Sequence, residues 1–451
     1  MGAGLIDSQS EDCLFVNVYA PANATSSSRL PVWIYIQGGG YSGDNNANYN
    51  GSQVVQTGNV IFVNFNYRVG AFGFLASNTI KNDGDLNAGL LDQRAAMNWT
   101  RNYIEAFGGD PDHIVVHGAS AGAGSLGHQM VAYGGRNDNL FVGAIAQSPY
   151  YQTEMNVSEL EWQFDLFVAD SACNGTSDVM VCLRKQDVTV LQKADYSSPF
   201  PGHKEQPRHA WGPTIDGDFL QDYPINLFMQ GKFINVPLMV GDEPDEGTLF
   251  VPNATDAEDV KTFFNVNYPR LDQSQLQSII DQYPVGEPMA KHADYFGVAA
   301  QAYGESTLTC PGIWMCNALS KTNASVVWNY SFNVSATQDW DDGMGAFHTI
   351  DTSAILGPNY DGTPSAESVE SFTTYNSQVV PILMNYYLSF VKTLSPNPNK
   401  VASAPDWTQF SKDGGFERLH IAINDVGMEN VPDALLNNCH FWSELQEKME
   451  I

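Results

Sequence analysis

The chain has 451 residues, 43% of them apolar, and sets 21 Lys and Arg against 51 Asp and Glu, a formal charge of −30. That length allows two or three average domains or one large α/β unit. The acidic balance disfavours nucleic acid and anionic membranes as partners, and no uninterrupted apolar stretch approaches the length of a membrane span.

Short apolar runs and helix-like segments alternate through the first half. Residues 32–36 read as a buried strand and lead directly into Gly38-Gly39-Gly40. Residues 60–64 read as a second strand. Residues 90–104 have helical spacing, with Leu90, Ala95, Trp99 and Tyr103 available to one face. A third strand over 114–116 runs into Gly118-Ala119-Ser120-Ala121-Gly122, after which residues 123–133 can continue as a helix. Further strands are expected at 144–146 and 237–240. The region from about 151 to 230 is less regular, richer in Asp, Pro and aromatics, and reads as an insertion beside a cleft within one domain spanning 1–451. Residues 394–405 form a Ser/Asn/Pro-rich surface connection before a helix-like tail. The alternation predicts an α/β fold, a mostly parallel sheet with helices on both faces. Catalytic groups on such sheets gather at the carboxyl ends of strands, where Ser120 falls.

A serine on a sharp strand-to-helix turn is held in a strained backbone with its hydroxyl pushed into a cleft. Glycines two residues to either side avoid collisions between strand and helix. The motif alone also fits a small-residue helix entry. A serine needs an imidazole to take its proton and a carboxylate to orient that imidazole. In this kind of fold the chain order is serine, acid, histidine, which leaves His292, His348, His420 and His440. His420 lies in a strand-like run, His440 adjoins Cys439, and His292 sits in a polar helical stretch. His348 follows the glycine-bearing loop 342–347, the flexible backbone that a base at a loop tip requires. For the acid, Asp245 and Glu246 both follow the strand at 237–240, in a cluster with Asp242 and Glu243 that equally reads as a solvated acidic loop. Backbone N–H groups of the Gly38-Gly39-Gly40 turn can serve as an oxyanion hole.

Glu11-Asp12-Cys13-Leu14, Asn66-Tyr67-Arg68-Val69-Gly70, Gly89-Leu90-Leu91-Asp92-Gln93, Phe107-Gly108-Gly109-Asp110-Pro111, the serine elbow, Asp245-Glu246-Gly247-Thr248, Phe347-His348 and Trp407 occur in one order along nearly the whole chain. This set resembles the type-B carboxylesterase/lipase family of the α/β-hydrolase fold, which includes cholinesterases, lipases and the inactive neuroligins. The secreted fungal esterases are nearest in pattern. The resemblance implies Ser120 as nucleophile, Glu246 in preference to Asp245 as acid, and His348 as base. It also implies Gly39, Gly40 and Ala121 as oxyanion donors, and structural ion pairs for Arg68, Asp92 and Arg94. It further implies a Cys173–Cys182 bridge, a Cys310–Cys439 bridge and a free, buried Cys316. The usual partner of Cys13 lies upstream of residue 1 in the family, as do its small opening strands. Ala119 stands where cholinesterases carry Glu, which argues against a choline ester, and Gln37 precedes the glycines.

The implied activity is serine-dependent hydrolysis of apolar or aryl esters through an acyl-enzyme, with Tyr41, Phe347, Tyr150 and Tyr151 as candidate cleft residues. Acyl transfer through the same residues and a non-catalytic binding role are the alternatives. No cofactor or metal is expected; Asp83-Gly84-Asp85-Leu86-Asn87 reads as an ordinary turn. Nine Asn-x-Ser/Thr sequons, at Asn23, Asn50, Asn98, Asn156, Asn174, Asn253, Asn323, Asn329 and Asn333, join low lysine and six cysteines to favour a secreted glycoprotein. Asn98, in the helix-like segment, is the sequon expected to be buried. The first residues show no charged and apolar leader.

Overall fold

The computed structural model describes residues 10–322, 326–358, 366–410 and 415–451. Nine strands form one sheet: β1 (Val16–Tyr19), β2 (Leu30–Ile36), β3 (Ile61–Phe65), β4 (Gly109–Ala119), β5 (Gly143–Gln147), β6 (Leu238–Asp242), β7 (Val327–Asn333), β8 (Glu417–Ala422) and β9 (Asp425–Asn430). Their spatial order is β1-β3-β2-β4-β5-β6-β7-β8-β9. The seven inner strands are mutually parallel, and only β1 and β9 run antiparallel to their neighbours.

Strand periodicity divides the core. Val32, Ile34 and Ile36 face one apolar layer, while Trp33 and Tyr35, between them, face the other. The first layer includes Leu90 and Met97 of α1 (Ala88–Tyr103) and Leu126 and Met130 of α2 (Ala121–Gly135). Pairing of β6 beside α3 (Cys310–Ser320) extends that layer through Cys316 and Leu319. The second layer is covered by α4 (Val380–Thr393), through Leu383, Tyr387 and Phe390. Both faces are thus buried, which is why the inner strands read as continuous apolar runs. The segment 151–230 contributes short helices and no strand; its one ladder contact is an isolated bridge between Asn156 and Ile215.

Two local expectations are corrected. The buried face of α1 is Leu90, Gln93, Arg94, Met97 and Thr100, not the Ala95, Trp99 and Tyr103 line. Polar Gln93 and Arg94 turn inward onto polar partners: Gln93 Nε2 donates to Ser125 at 2.9 Å, and Arg94 donates to Gln129 at 3.0 Å and pairs with Asp138. Asn98 therefore lies on the exposed side of α1. The buried sequon is Asn329, inside β7 with its amide on the Val240 carbonyl at 3.2 Å, while Asn323 falls outside the described residues. Arg68 meets Asp92 through two hydrogen bonds of 2.7 and 2.8 Å. Cys173 is bridged to Cys182 and Cys310 to Cys439; Cys316 is buried and free, and Cys13 is half-buried and free.

Candidate active site

The site lies where β4 ends and α2 begins. Ser120 has φ 58° and ψ −126°, a positive φ that a non-glycine residue adopts only when the surroundings enforce it. Close approach explains both flanking glycines. A Cβ on Gly118 would come within 2.1 Å of the Gly122 carbonyl, and one on Gly122 within 2.1 Å of the Ile36 carbonyl. The N–H of Ser120 is taken by the Gln147 carbonyl at 2.9 Å, fixing the elbow to β5.

His348 Nε2 is 2.7 Å from Ser120 Oγ, and His348 Nδ1 is 2.5 Å from Glu246 Oε2. Glu246 is 1% exposed, and its other oxygen accepts the Glu243 N–H at 3.1 Å. Burial pushes its carboxyl up, but the adjacent His348 charge and the hydrogen bonds to it outweigh this and hold it below its usual range. Asp245 does something else. Its Oδ2 accepts the Ala346 N–H at 2.9 Å, and its own N–H goes to the Ala346 carbonyl at 3.1 Å, so the acid loop and the histidine loop are laced together. Gly345, at φ 63°, is required there, since a Cβ would meet Asp245 Oδ2 at 2.1 Å. The other three late histidines stand apart from Ser120: His292 stacks on Phe296, His420 is on β8, and His440 is exposed near the C-terminus.

The glycine turn after β2 packs against the elbow, with Gly39 at φ 93° and Gly40 at φ 57°. Tyr67 donates its hydroxyl to the carbonyls of Gln37 and Gly38 at 3.0 and 3.2 Å, pinning the approach to the turn. Among the described residues no protein acceptor takes the N–H of Gly39, Gly40 or Ala121.

A cavity of about 450 Å³ opens over Ser120 and His348. Phe347 and Tyr150 line it, together with Tyr35, Tyr49 and Phe250. Tyr41 does not: it is 1% exposed and packs edge-on against Phe74 at 5.3 Å, its backbone turned into the glycine loop at φ 58°. Tyr151 is likewise interior, its hydroxyl on Met315 Sδ at 3.4 Å. These two aromatic residues flank the site in sequence but belong to the core.

Four groups near the site carry no sequence signal strong enough to find them. Phe250 sets its ring 5.0 Å from the His348 ring in an edge arrangement. His209, from the irregular middle region, covers Gly40; a Cβ there would lie 2.3 Å from the imidazole. Burial first, then the Arg208 and His348 charges, push His209 down to about 4. Behind Glu246 sit two more buried acids, Glu243 and Asp351. Ser148 donates to Glu243 at 2.7 Å, and Tyr330 donates to Asp351 at 2.5 Å. Burial raises both carboxyls, Glu243 the further, as Asp351 and Glu246 add like charge beside it. The acidic cluster after β6 was visible as a sequence pattern; its burial was not.

A strained serine elbow at a strand's carboxyl end, an imidazole on its hydroxyl and a buried carboxylate behind it define the class of α/β-hydrolases. Residues 2–442 match the Carboxylesterase family, and the chain belongs to it. It is 31% identical to secreted lipase 1 of Botryotinia fuckeliana over 93% of this chain and 74% of that one. It is 34% identical to lipase 2 of Geotrichum candidum over 93% and 75%. It is 28% identical to an acetylcholinesterase of Bungarus fasciatus over 98% and 73%. The crystal structure of Aspergillus niger EstA superposes with a TM-score of 0.95 at 46% identity, covering 100% of this chain and 88% of that one. The fold is the α/β-hydrolase fold and the protein is a carboxylic ester hydrolase. No helix among the described residues is long and apolar enough to cross a membrane.

Proposed function

We propose that the protein hydrolyses apolar or aryl esters through a Ser120 acyl-enzyme, and the observation that carries this is the Ser120–His348–Glu246 chain of contacts at 2.7 and 2.5 Å. Ser120 Oγ attacks the ester carbonyl while His348 Nε2 takes its proton. Glu246 holds the Nδ1–H and stabilises the imidazolium. The tetrahedral oxyanion accepts from Gly39, Gly40 and Ala121, donors worth about 3–4 kcal/mol each in such sites. The imidazolium then protonates the departing alkoxide, and a water deprotonated by His348 cleaves the acyl-enzyme. Aromatic lining by Tyr35, Tyr49, Tyr150, Phe250 and Phe347 supports an apolar or aryl substrate. Ala119, which lines the cavity beside Ser120, offers no charge for a quaternary ammonium group.

The secreted fungal relatives support an extracellular site of action, and exposed Asn23, Asn98, Asn174 and Asn253 are the sequons we assign to N-glycans. Ser120→Ala should abolish p-nitrophenyl ester turnover and labelling by a fluorophosphonate. Unchanged turnover in that variant would sink the proposal, and a folded wild type that never labels would favour a binding role.

A further inference from the structure

Nine arginines serve a chain with 51 acidic residues. Seven of them, at 29, 68, 94, 136, 184, 270 and 418, sit within ion-pair distance of a carboxylate. Arg101 gives Nη1–H to the Asp138 carbonyl. Arg208 is different because of where it is. It lines the cavity over Ser120, is exposed to solvent, and has no carboxylate partner among the described residues. Its backbone N–H is fixed by Asn267 Oδ1 at 2.8 Å, and its side chain makes one hydrogen bond, a long one of 3.3 Å to the Leu249 carbonyl.

The guanidinium carbon lies 5.7 Å from the centre of the Phe250 ring, and the centre of that ring is 5.0 Å from the His348 ring. One phenyl group therefore separates the cation from the base that acts on the ester. A guanidinium presents up to five N–H donors in a planar fork that fits a carboxylate, and most of those of Arg208 have no acceptor among the described residues. Among the described residues the one carboxylate lining the cavity, Asp44, is already committed to the Asn45 N–H, the Asn48 amide and the Tyr49 hydroxyl. The remaining lining is aromatic and aliphatic side chains, glycine backbone, small polar groups and imidazole.

Resting on the esterase reading above, we infer that Arg208 receives a carboxylate carried by the ester substrate, so that the preferred substrates are esters with an otherwise apolar or aryl body and one anionic end. The net charge of −30 repels anions at long range, so recognition must act at contact distance inside the cavity, not by steering.

Two matched pairs of esters test this and tell the two possible ends apart. Monoethyl glutarate against ethyl pentanoate places the carboxylate on the acyl side; 4-acetoxybenzoate against phenyl acetate places it on the alcohol side. In the pair that uses Arg208, Arg208→Gln is expected to lower the charged-to-neutral ratio of kcat/KM about tenfold or more. Arg208→Lys should fall between, keeping the charge and losing the fork. A ratio unmoved by Arg208→Gln in both pairs overturns the assignment. Turnover of the neutral esters by wild type would then leave ester hydrolysis itself standing, whereas turnover of none of the four would remove both.

Discussion

Asp245 and Glu246 are neighbours in the chain and serve different partners: Glu246 Oε2 meets His348 Nδ1 at 2.5 Å, while Asp245 Oδ2 takes the Ala346 N–H at 2.9 Å. Sequence pattern cannot separate two adjacent carboxylates after the same strand, yet one faces the His348 imidazole and the other laces two loops. Glu246→Gln should lower kcat by about 10³–10⁴-fold, because a neutral amide no longer fixes the imidazole tautomer or stabilises its cation. Asp245→Asn keeps an oxygen for the Ala346 N–H and should retain most of kcat. Asp245→Ala should lower the melting temperature instead. Steady-state kinetics with thermal unfolding of the three variants checks this, and equal losses of kcat in Glu246→Gln and Asp245→Asn would contradict it.

The sheet was legible where strands are buried on both faces, because 32–36 is apolar at every position and 60–64 at all but Asn64. β7 escaped notice because Asn329 and Ser331 interrupt its apolar pattern; both are nonetheless buried, and the Asn329 amide is paired inside the sheet. The serine elbow and His348 were readable from glycine placement, since glycine marks backbone that a side chain would obstruct. The cavity walls were not. Tyr41 differs from Tyr150 in which way its side chain points, and that is settled by packing on Phe74 and not by sequence position. His209 reaches the site from the irregular middle region, where no periodicity announces a direction.

The acids behind the site set a pH dependence of stability. Burial holds the Glu243 carboxyl well above its usual range, and lifts Asp242 to about 7 and Asp245 to about 6. A carboxyl raised on folding keeps its proton in the native state after the unfolded chain has released it. Stability is then full below the unfolded value near 4 and falls as pH rises towards the folded one, by up to about 1.4 kcal/mol per pH unit for each proton retained. Glu246 works in the opposite sense but only below its usual range. His117 and His209, which burial holds at about 3 and about 4, cost stability as pH falls below about 6.5. The raised carboxyls, Asp195 at about 6 and Asp351 included, outnumber these groups. The melting temperature should therefore be higher near pH 5 than near pH 8. Glu243→Gln, which keeps an acceptor for Ser148, should shrink that difference; an undiminished slope would place the effect elsewhere.

His209 stands between the cavity over Ser120 and a small second space of about 20 Å³, lined by Phe74, Met155, Leu160 and Phe200 with Gln152, Thr153 and Gln163. Most of the room gained on its removal is therefore the volume of the imidazole itself. Held down at about 4 by burial, its imidazole is neutral above about pH 5 and acts as a partition. His209→Ala should join the two spaces and favour longer acyl chains. Each further methylene admitted contributes about 0.8 kcal/mol, close to fourfold in kcat/KM. The readout is the p-nitrophenyl octanoate to butyrate ratio, and a profile identical to wild type would mean that the partition lies in another residue.

The two disulfides close loops of very different length: Cys173–Cys182 spans 9 residues and Cys310–Cys439 spans 129. In the chain-entropy account they restrict the unfolded state by about 2.6 and about 4.9 kcal/mol respectively. The longer bridge also ties α3, packed against β6 and β7, to α5 (Asp433–Met449), whose Trp442 donates to the Tyr283 hydroxyl at 2.6 Å. Paired Cys310→Ala and Cys439→Ala should therefore cost more in melting temperature than paired Cys173→Ala and Cys182→Ala. Neither bridge lines the cavity, so kcat well below the transition should be retained in both. Equal losses from the two pairs would show that loop length is not what governs their contribution.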